Sequence, residues 1–320
     1  MKILLVSPID PQAIVALEHS HDVRQAINVS PTALMEAVAD REVVVLRSGV
    51  QLSSDVMATA PDLRLLVRAG AGLDNIDLDA ARTRKVRVVR VPGMSAPPVA
   101  EFTFALLLSL ARKVTYADRL LRQGHWPKAE LGGALLTGKT LGIVGAGNIG
   151  GLVGEMGHAW GMNVIGCVGH PGEKVAHKLL QRGITLVGFD EVVARADFLC
   201  LHVPLDEATR HMVDATVLAR MKPGSMLVNV ARGGVVDESA LFDALEAGGT
   251  VSGAALDVHE REGEGTVSPF TELPNVVLTP HIGAMALDSQ RLIGERVMQL
   301  LQAFDQGRLD EEILDGEHVI

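Results

Sequence analysis

The chain sets Gly145-Ala146-Gly147-Asn148-Ile149-Gly150 directly after the apolar run Leu141-Gly142-Ile143-Val144. Glycines at this spacing mean little alone. Placed between a short buried strand and a helix, they define a turn with a physical purpose. Gly145 permits the tight turn, Gly147 lets the backbone approach a pyrophosphate, and Gly150 lets helix and strand pack closely. The helix start then offers free N–H groups and a positive dipole end to phosphates. A Gly-rich turn in any α/β protein has the same composition, so the strand–turn–helix order carries this reading.

The rest of the chain alternates strands and helices. Lys2–Val6, Val43–Leu46, Leu63–Val67 and Val86–Val91 read as strands before the glycine turn. Thr140–Val144, Asn163–Val168, Phe198–His202, Met226–Val230, Gly253–Leu256 and Val276–Thr279 read as a second series. Pro11–Leu17 begins a helix, and Val99 to about Arg112 is apolar on nearly all faces, as in a helix buried between domains or subunits. Such a βαβ series implies parallel sheets. At 320 residues the chain is long for one core, so two α/β units are expected, with the glycine turn opening the second. Substrate chemistry is then expected where strand ends of the two units face each other.

Composition narrows the partners. Hydrophobic residues make up 48% and aromatics 3%, so the core must be aliphatic, which suits parallel strands covered on both faces. A formal charge of -10 argues against nucleic acid as a partner. Cys167 and Cys200 sit in apolar runs and read as buried thiols in a reducing cytosol. The longest apolar stretch, Phe102 to Leu110, is too short to span a bilayer. Lys2–Val6 is followed by Pro8 and Asp10 and reads as a first strand, not a signal peptide. A cytoplasmic location, no membrane partner and no metal site are expected.

Polar residues follow three strands of the second series. Arg232 follows one, Asp257 and the run Glu260 to Glu264 follow the next, and His281 follows the last. A guanidinium can clamp a carboxylate and a keto oxygen. An imidazole can give or take a hydroxyl proton near neutral pH. A carboxylate behind it can orient the ring and raise its pKa. Each residue alone fits a solvated loop, a satisfied histidine or a charged run. At three successive strand ends they converge on one crevice. Spacing alone does not choose among Glu260, Glu262 and Glu264.

Taken together, these segments resemble the D-isomer-specific 2-hydroxyacid dehydrogenases. The resemblance rests on Gly138 through Gly150, on His202-Val203-Pro204-Leu205, and on Met221-Lys222-Pro223-Gly224 running on to Asn229 through Gly234. It extends to Arg68 through Asp77, similar to the family's substrate loop, and to Pro280-His281-Ile282-Gly283-Ala284, similar to its histidine motif. It implies two Rossmann-like doubly wound parallel-sheet domains, the substrate domain discontinuous. Residues 1–98 and 286–320 would bind substrate, and residues 99–285 the dinucleotide. The family's glutamate lies five positions after the strand-end aspartate, which selects Glu262 after Asp257. Arg232 would bind the substrate carboxylate and oxo group, helped by the amides of Ala71 and Gly72. His281 would be the acid/base, paired with Glu262. The cofactor would lie along Gly145, Gly147, Asn148, Ile149 and Gly150, with Ala71, Val168, Val203, Val230, Ala231, Asp257 and Gly283 around it. Hydride would pass between C2 of a D-2-hydroxy acid and the nicotinamide while His281 takes the hydroxyl proton.

Val43 through Ser48 resembles the phosphoglycerate dehydrogenases of this family, which implies that Arg47 holds a substrate phosphate or sulfonate. A structural arginine capping a strand end is the plain alternative. Glyoxylate or hydroxypyruvate reduction, oxidation of an inorganic oxyanion such as phosphite, and a non-catalytic nucleotide-sensing corepressor also stay open. Two departures stand out. Asn148 replaces a frequent arginine, and Val168 stands where an acid that binds the ribose hydroxyls is expected, about 20 residues after the glycines. No carboxylate repels a 2′-phosphate there, and His170 or Lys174 would attract one, while Glu173 could restore the NAD contact. The cofactor is therefore NAD or NADP. The apolar helix near 99–112 and the Trp126 arm suggest a homodimer, as the family implies.

Overall fold

The computed structural model describes residues 1–320. Two compact units make up the chain: Met1–Ser95 with Met285–Ile320, and Ala96–Ala284.

The first unit opens with β1 (Lys2–Leu5), α1 (Pro11–Ser20), β2 (Asp22–Gln25), α2 (Pro31–Val38), β3 (Val43–Leu46), α3 (Ser54–Ala58), β4 (Leu65–Arg68), α4 (Leu78–Thr83) and β5 (Arg87–Arg90). The strands pair in parallel in the order β2-β1-β3-β4-β5. Local chemistry sets the helix starts. The Asp10, Ser30, Ser53 and Asp77 side chains each accept from an amide three residues on, and proline takes the first position of α1 and α2. All four residues of β3 are fully buried, because both faces are covered. Val43 and Val45 face one core, Val44 and Leu46 the other.

The second unit runs through α5 (Ala96–Ala111), α6 (Val114–Arg122), β6 (Thr140–Val144), α7 (Asn148–Ala159), β7 (Asn163–Cys167), α8 (Glu173–Gln181), β8 (Ile184–Leu186), α9 (Phe189–Arg195), β9 (Phe198–Leu201), α10 (Ala215–Arg220), β10 (Ser225–Asn229), α11 (Glu238–Glu246), β11 (Val251–Leu256) and β12 (Val276–Leu278). Its seven parallel strands are ordered β12-β11-β10-β9-β6-β7-β8. Chain order reverses between β6 and β9, the crevice where doubly wound sheets bind ligands. Both units are thus doubly wound parallel α/β sheets.

Several boundaries differ from the sequence reading. Helix α5 begins at Ala96, ahead of the apolar run, because Pro97 and Pro98 are tolerated in a first helical turn. Its apolar residues Val99, Phe104, Leu107 and Leu110 lie in a core of the second unit with Leu141 and Val228. Strands β2 and β8 were not legible: β8 has only three residues, and β2 a single apolar one.

The chain returns to the first unit through α12 (Leu287–Asp305) and α13 (Leu309–Glu312). Ile293, Val297, Leu300 and Leu301 of α12 cover one sheet face with Ile3, Val43 and Val45. The last residues then close the β5 edge. Val88 N donates to the Ile320 carbonyl, Val319 N to the Val88 carbonyl, and Arg90 N to the Glu317 carbonyl. Arg296 fixes this segment. Its Nε and Nη2 donate to the two Glu317 carboxylate oxygens at 2.8 and 2.7 Å, and Nη1 reaches Glu312 at 2.6 Å. Arg296 and Glu317 are both buried, so removing one charge strands the other. Arg296→Ala is expected to cost about 3–5 kcal/mol. Amide hydrogen exchange over Val88–Arg90 reads the loss directly. Fluorescence is a poor reporter, because Trp126 and Trp160 both lie in the second unit.

Candidate active site at the strand ends of the second unit

Three turns follow β10, β11 and β12, and each is held by a specific contact. Asn229 ends β10 with a buried side chain. Its Oδ1 accepts from Ala231 N at 3.0 Å, and its Nδ2 donates to the Arg232 carbonyl at 3.0 Å. Arg232 Nη1 donates to the Ala231 carbonyl at 2.7 Å. The next residue has to be glycine, since a Cβ on Gly233 would lie 1.8 Å from the His259 carbonyl oxygen. The Arg232 turn therefore rests directly on the loop that follows β11.

Asp257 ends that strand and is 1% exposed. Its Oδ1 accepts from Thr279 Oγ1 at 2.7 Å and Ile282 N at 2.9 Å, and its Oδ2 from Gly283 N at 2.8 Å. A buried carboxylate with three donors is well stabilised. Its anchoring of the His281 turn was not visible in the sequence, where it read as a cofactor-facing residue. His281 itself has φ 55°, a left-handed conformation that costs a non-glycine residue about 1–2 kcal/mol. Its amide donates to the Asp257 carbonyl at 2.7 Å and the Thr279 carbonyl at 3.1 Å.

His281 Nδ1 meets Glu262 Oε2 at 2.9 Å. Glu262 Oε1 accepts from His259 N at 3.2 Å. Burial pushes the Glu262 carboxyl up, but the His281 hydrogen bond and charge, with the His259 amide, outweigh it and leave the pKa below 4.5. Glu260 turns elsewhere: its Oε1 meets His211 Nε2 at 2.9 Å and its amide donates to Glu238 Oε1 at 2.8 Å. Burial, then the neighbouring Glu260 and Glu262 charges, raise the Glu238 pKa. Glu264 is exposed. Of the three glutamates that spacing left open, Glu262 is the one beside the imidazole.

The glycine turn suits a dinucleotide. Gly145 has φ 93°, and a Cβ there would lie 2.6 Å from the His202 carbonyl oxygen of the neighbouring strand end. A Cβ on Gly150 would lie 2.3 Å from the Gly145 carbonyl oxygen, so helix and strand pack too closely for a side chain. A Cβ on Gly147 would meet nothing, which leaves an open approach to the backbone. Helix α7 starts at Asn148 and Ile149 with no side-chain cap, so its first N–H groups face no competing side-chain acceptor. Val168, Val203, Val230 and Ala231 lie within two residues of the ends of β7, β9 and β10 along the same sheet edge. The His202 ring lies at the switch point with both nitrogens buried and unpartnered, and burial pushes its pKa down to about 3. These features fit a bound nicotinamide dinucleotide.

The remaining sequence-derived residues belong to the first unit. Arg47 follows β3 and is half-buried; it donates to the Met285 sulfur at 3.2 Å and has no carboxylate partner. Asn75 holds its turn by donating to the Arg47 and Val50 carbonyls at 2.8 and 2.7 Å. Ala71 and Gly72 lie in the loop after β4, and neither amide has a partner within the chain. Adjacent free amides are open to an anionic ligand.

Fold and site together define a dinucleotide-binding α/β protein with an Arg, Glu and His set. The sequence profile described as D-isomer specific 2-hydroxyacid dehydrogenase, NAD binding domain, matches residues 104–283. The chain is 39% identical over 320 residues to D-3-phosphoglycerate dehydrogenase of Methanocaldococcus jannaschii, covering 100% of this chain and 60% of that protein. It is 36% identical over 295 residues to hydroxypyruvate reductase of Thermotoga maritima, covering 91% of this chain and 94% of that one. The crystal structure of NAD-dependent formate dehydrogenase from Staphylococcus aureus in complex with NAD matches with TM-score 0.88 and 29% identity, over 100% of this chain and 99% of that one. The chain therefore belongs to the D-isomer specific 2-hydroxyacid dehydrogenase family. It spans about 60% of the length of the archaeal relative.

The lowered Glu262 pKa fixes a sign. The pair's stabilisation is fully present above the carboxyl's unfolded value near 4.5 and is lost as pH falls through the lower folded value. A carbon-13 NMR titration of Glu262 is expected to show a midpoint below 4.5, moving up toward that value in His281→Gln.

Proposed function

We propose that the protein is an oxidoreductase that moves a hydride between NAD(P) and a D-2-hydroxy acid or its 2-oxo acid. The Glu262–His281 contact at 2.9 Å, one strand away from Arg232, carries this reading. A bound nicotinamide dinucleotide would supply the hydride acceptor or donor. Glu262 accepts from Nδ1–H of His281, which leaves Nε2 as the nitrogen that takes the substrate's hydroxyl proton. The imidazolium so formed is stabilised by a carboxylate that stays ionised. Arg232, with the Ala71 and Gly72 amides, holds the substrate carboxylate. In the reverse direction His281 returns its proton to the oxygen of the reduced carbonyl.

A substrate with a second anionic group is favoured, because Arg47 is a half-buried cation facing no carboxylate. Burial lowers its pKa, yet a guanidinium stays charged. The archaeal relative's name agrees with a 3-phosphoglycerate-like acid. Reduction of hydroxypyruvate is the second reading, supported by the Thermotoga maritima relative of matching length. On the cofactor, Val168 sets no charge against a 2′-phosphate, and exposed His170 and Lys174 follow it, so both NAD and NADP are admitted. The buried free thiols of Cys167 and Cys200 suit the cytoplasm. No helix is long and apolar enough to cross a membrane. Exposed Val114, Leu121 and Trp126 on and beside α6 support a homodimer.

The deciding assay offers glyoxylate, hydroxypyruvate, phosphohydroxypyruvate, sulfopyruvate and, in the oxidative direction, phosphite, each with both cofactors. Turnover of a 2-oxo acid is expected; none at all would favour a nucleotide-sensing role. His281→Gln is expected to lose roughly 10²–10⁴-fold in rate with NADH affinity unchanged. Arg47→Ala should lower kcat/KM for phosphohydroxypyruvate roughly 10–100-fold, the loss of one charge-assisted hydrogen bond. Glyoxylate reduction by the same variant should be unaffected.

A further inference from the structure

We infer that His259 is a positioning residue for the Glu262–His281 pair, an inference that rests on the proposed dehydrogenase reading. This residue touches all three turns. Its carbonyl packs against Gly233, next to Arg232, so closely that no side chain fits there. Its amide donates to Glu262 Oε1 at 3.2 Å. Its ring meets the third turn, with Nε2 3.0 Å from the Thr279 carbonyl. A carbonyl only accepts, so Nε2 carries the proton. The same carbonyl accepts from the amide of His281 at 3.1 Å. The ring of His259 therefore grips the oxygen that also holds the His281 backbone.

Geometry makes this grip consequential. Glu262 and His281 sit on different loops and meet through a single side-chain contact, while His281 holds a left-handed backbone conformation. Asp257 ties the His281 turn to the end of β11, and the His259 Nε2 contact adds a tie from further along the loop, nearer Glu262, where the separation of the acid–base contact is set. The Nδ1 of His259 is buried without a partner, so the ring is held at its Nε2 end alone. A buried unpaired nitrogen is a cost, and the Nε2 contact is what such a residue contributes here beyond packing. Losing the link would let the Glu262 loop drift relative to the imidazole, and misplacement of about 1 Å can cost on the order of 100-fold in rate.

The test compares His259→Phe, which keeps a ring without a donor, with His259→Gln, which keeps a donor at similar reach. The Phe variant is expected to lose roughly 10–100-fold in kcat with the KM for cofactor unchanged, and the Gln variant to regain most of it. His259→Asn, whose amide stops short of the carbonyl, should behave as Phe does and serves if Phe does not fold. Independently of turnover, the ring nitrogen-15 resonances of His281 should move in Phe and Asn and return in Gln. Wild-type kcat and unmoved His281 resonances in Phe or Asn would overturn the inference. Equal impairment of Gln and Phe would do the same, leaving a packing role only. A wild-type protein with no turnover on any 2-oxo acid would remove the dehydrogenase reading, while the resonances would still judge the tether.

Discussion

A buried carboxylate governs the candidate site. Asp257 takes three hydrogen bonds from the turn that carries His281 and so ties that turn to the end of β11. The left-handed backbone at His281 costs about 1–2 kcal/mol. Hydrogen bonds to a charged acceptor contribute about 1.5–3 kcal/mol each. Three of them offset the strain with a margin. The imidazole is thus presented on a stiff turn that a parallel strand end aims along the sheet edge.

The other two turns follow the same logic with neutral groups. Asn229 satisfies one amide and one carbonyl across the Arg232 turn, a side chain standing in for a missing strand neighbour. Gly233 then lets the loop after β11 settle against it. Backbone closeness, not charge attraction, brings the guanidinium's turn and the acid's loop together. Arg232, Glu262 and His281 therefore each sit on main chain held by contacts within the chain, as a preorganised site would require.

Much of this was readable in the residues. Parallel strands buried on both faces appear as unbroken apolar runs, so β3, β6 and β9 stand out, and the polar residues after β10 and β12 mark strand ends. The glycine turn was readable because each glycine answers a local steric demand. Non-local features were not. Spacing could not separate Glu260, Glu262 and Glu264, because the loop's path is set by His259 against Gly233 and Thr279. Strand β2 reads Asp22-Val23-Arg24-Gln25, with one apolar residue, and becomes a strand only by pairing with β1. Asn229 read as an interior residue of the strand Met226–Val230, since its role depends on the turn folding back over it. Asp257 read as a cofactor contact, and its three partners lie more than twenty residues away.

The closing segment of the first unit has a different kind of consequence. An open strand edge offers a ladder of unpaired amides on which another chain can template. Here residues 317–320 run antiparallel along β5 and occupy that ladder, pinned by the Arg296 guanidinium. The sheet's outer margin is blunted by its own tail, so resistance to aggregation at that margin resides in the same few residues that anchor the returning helix.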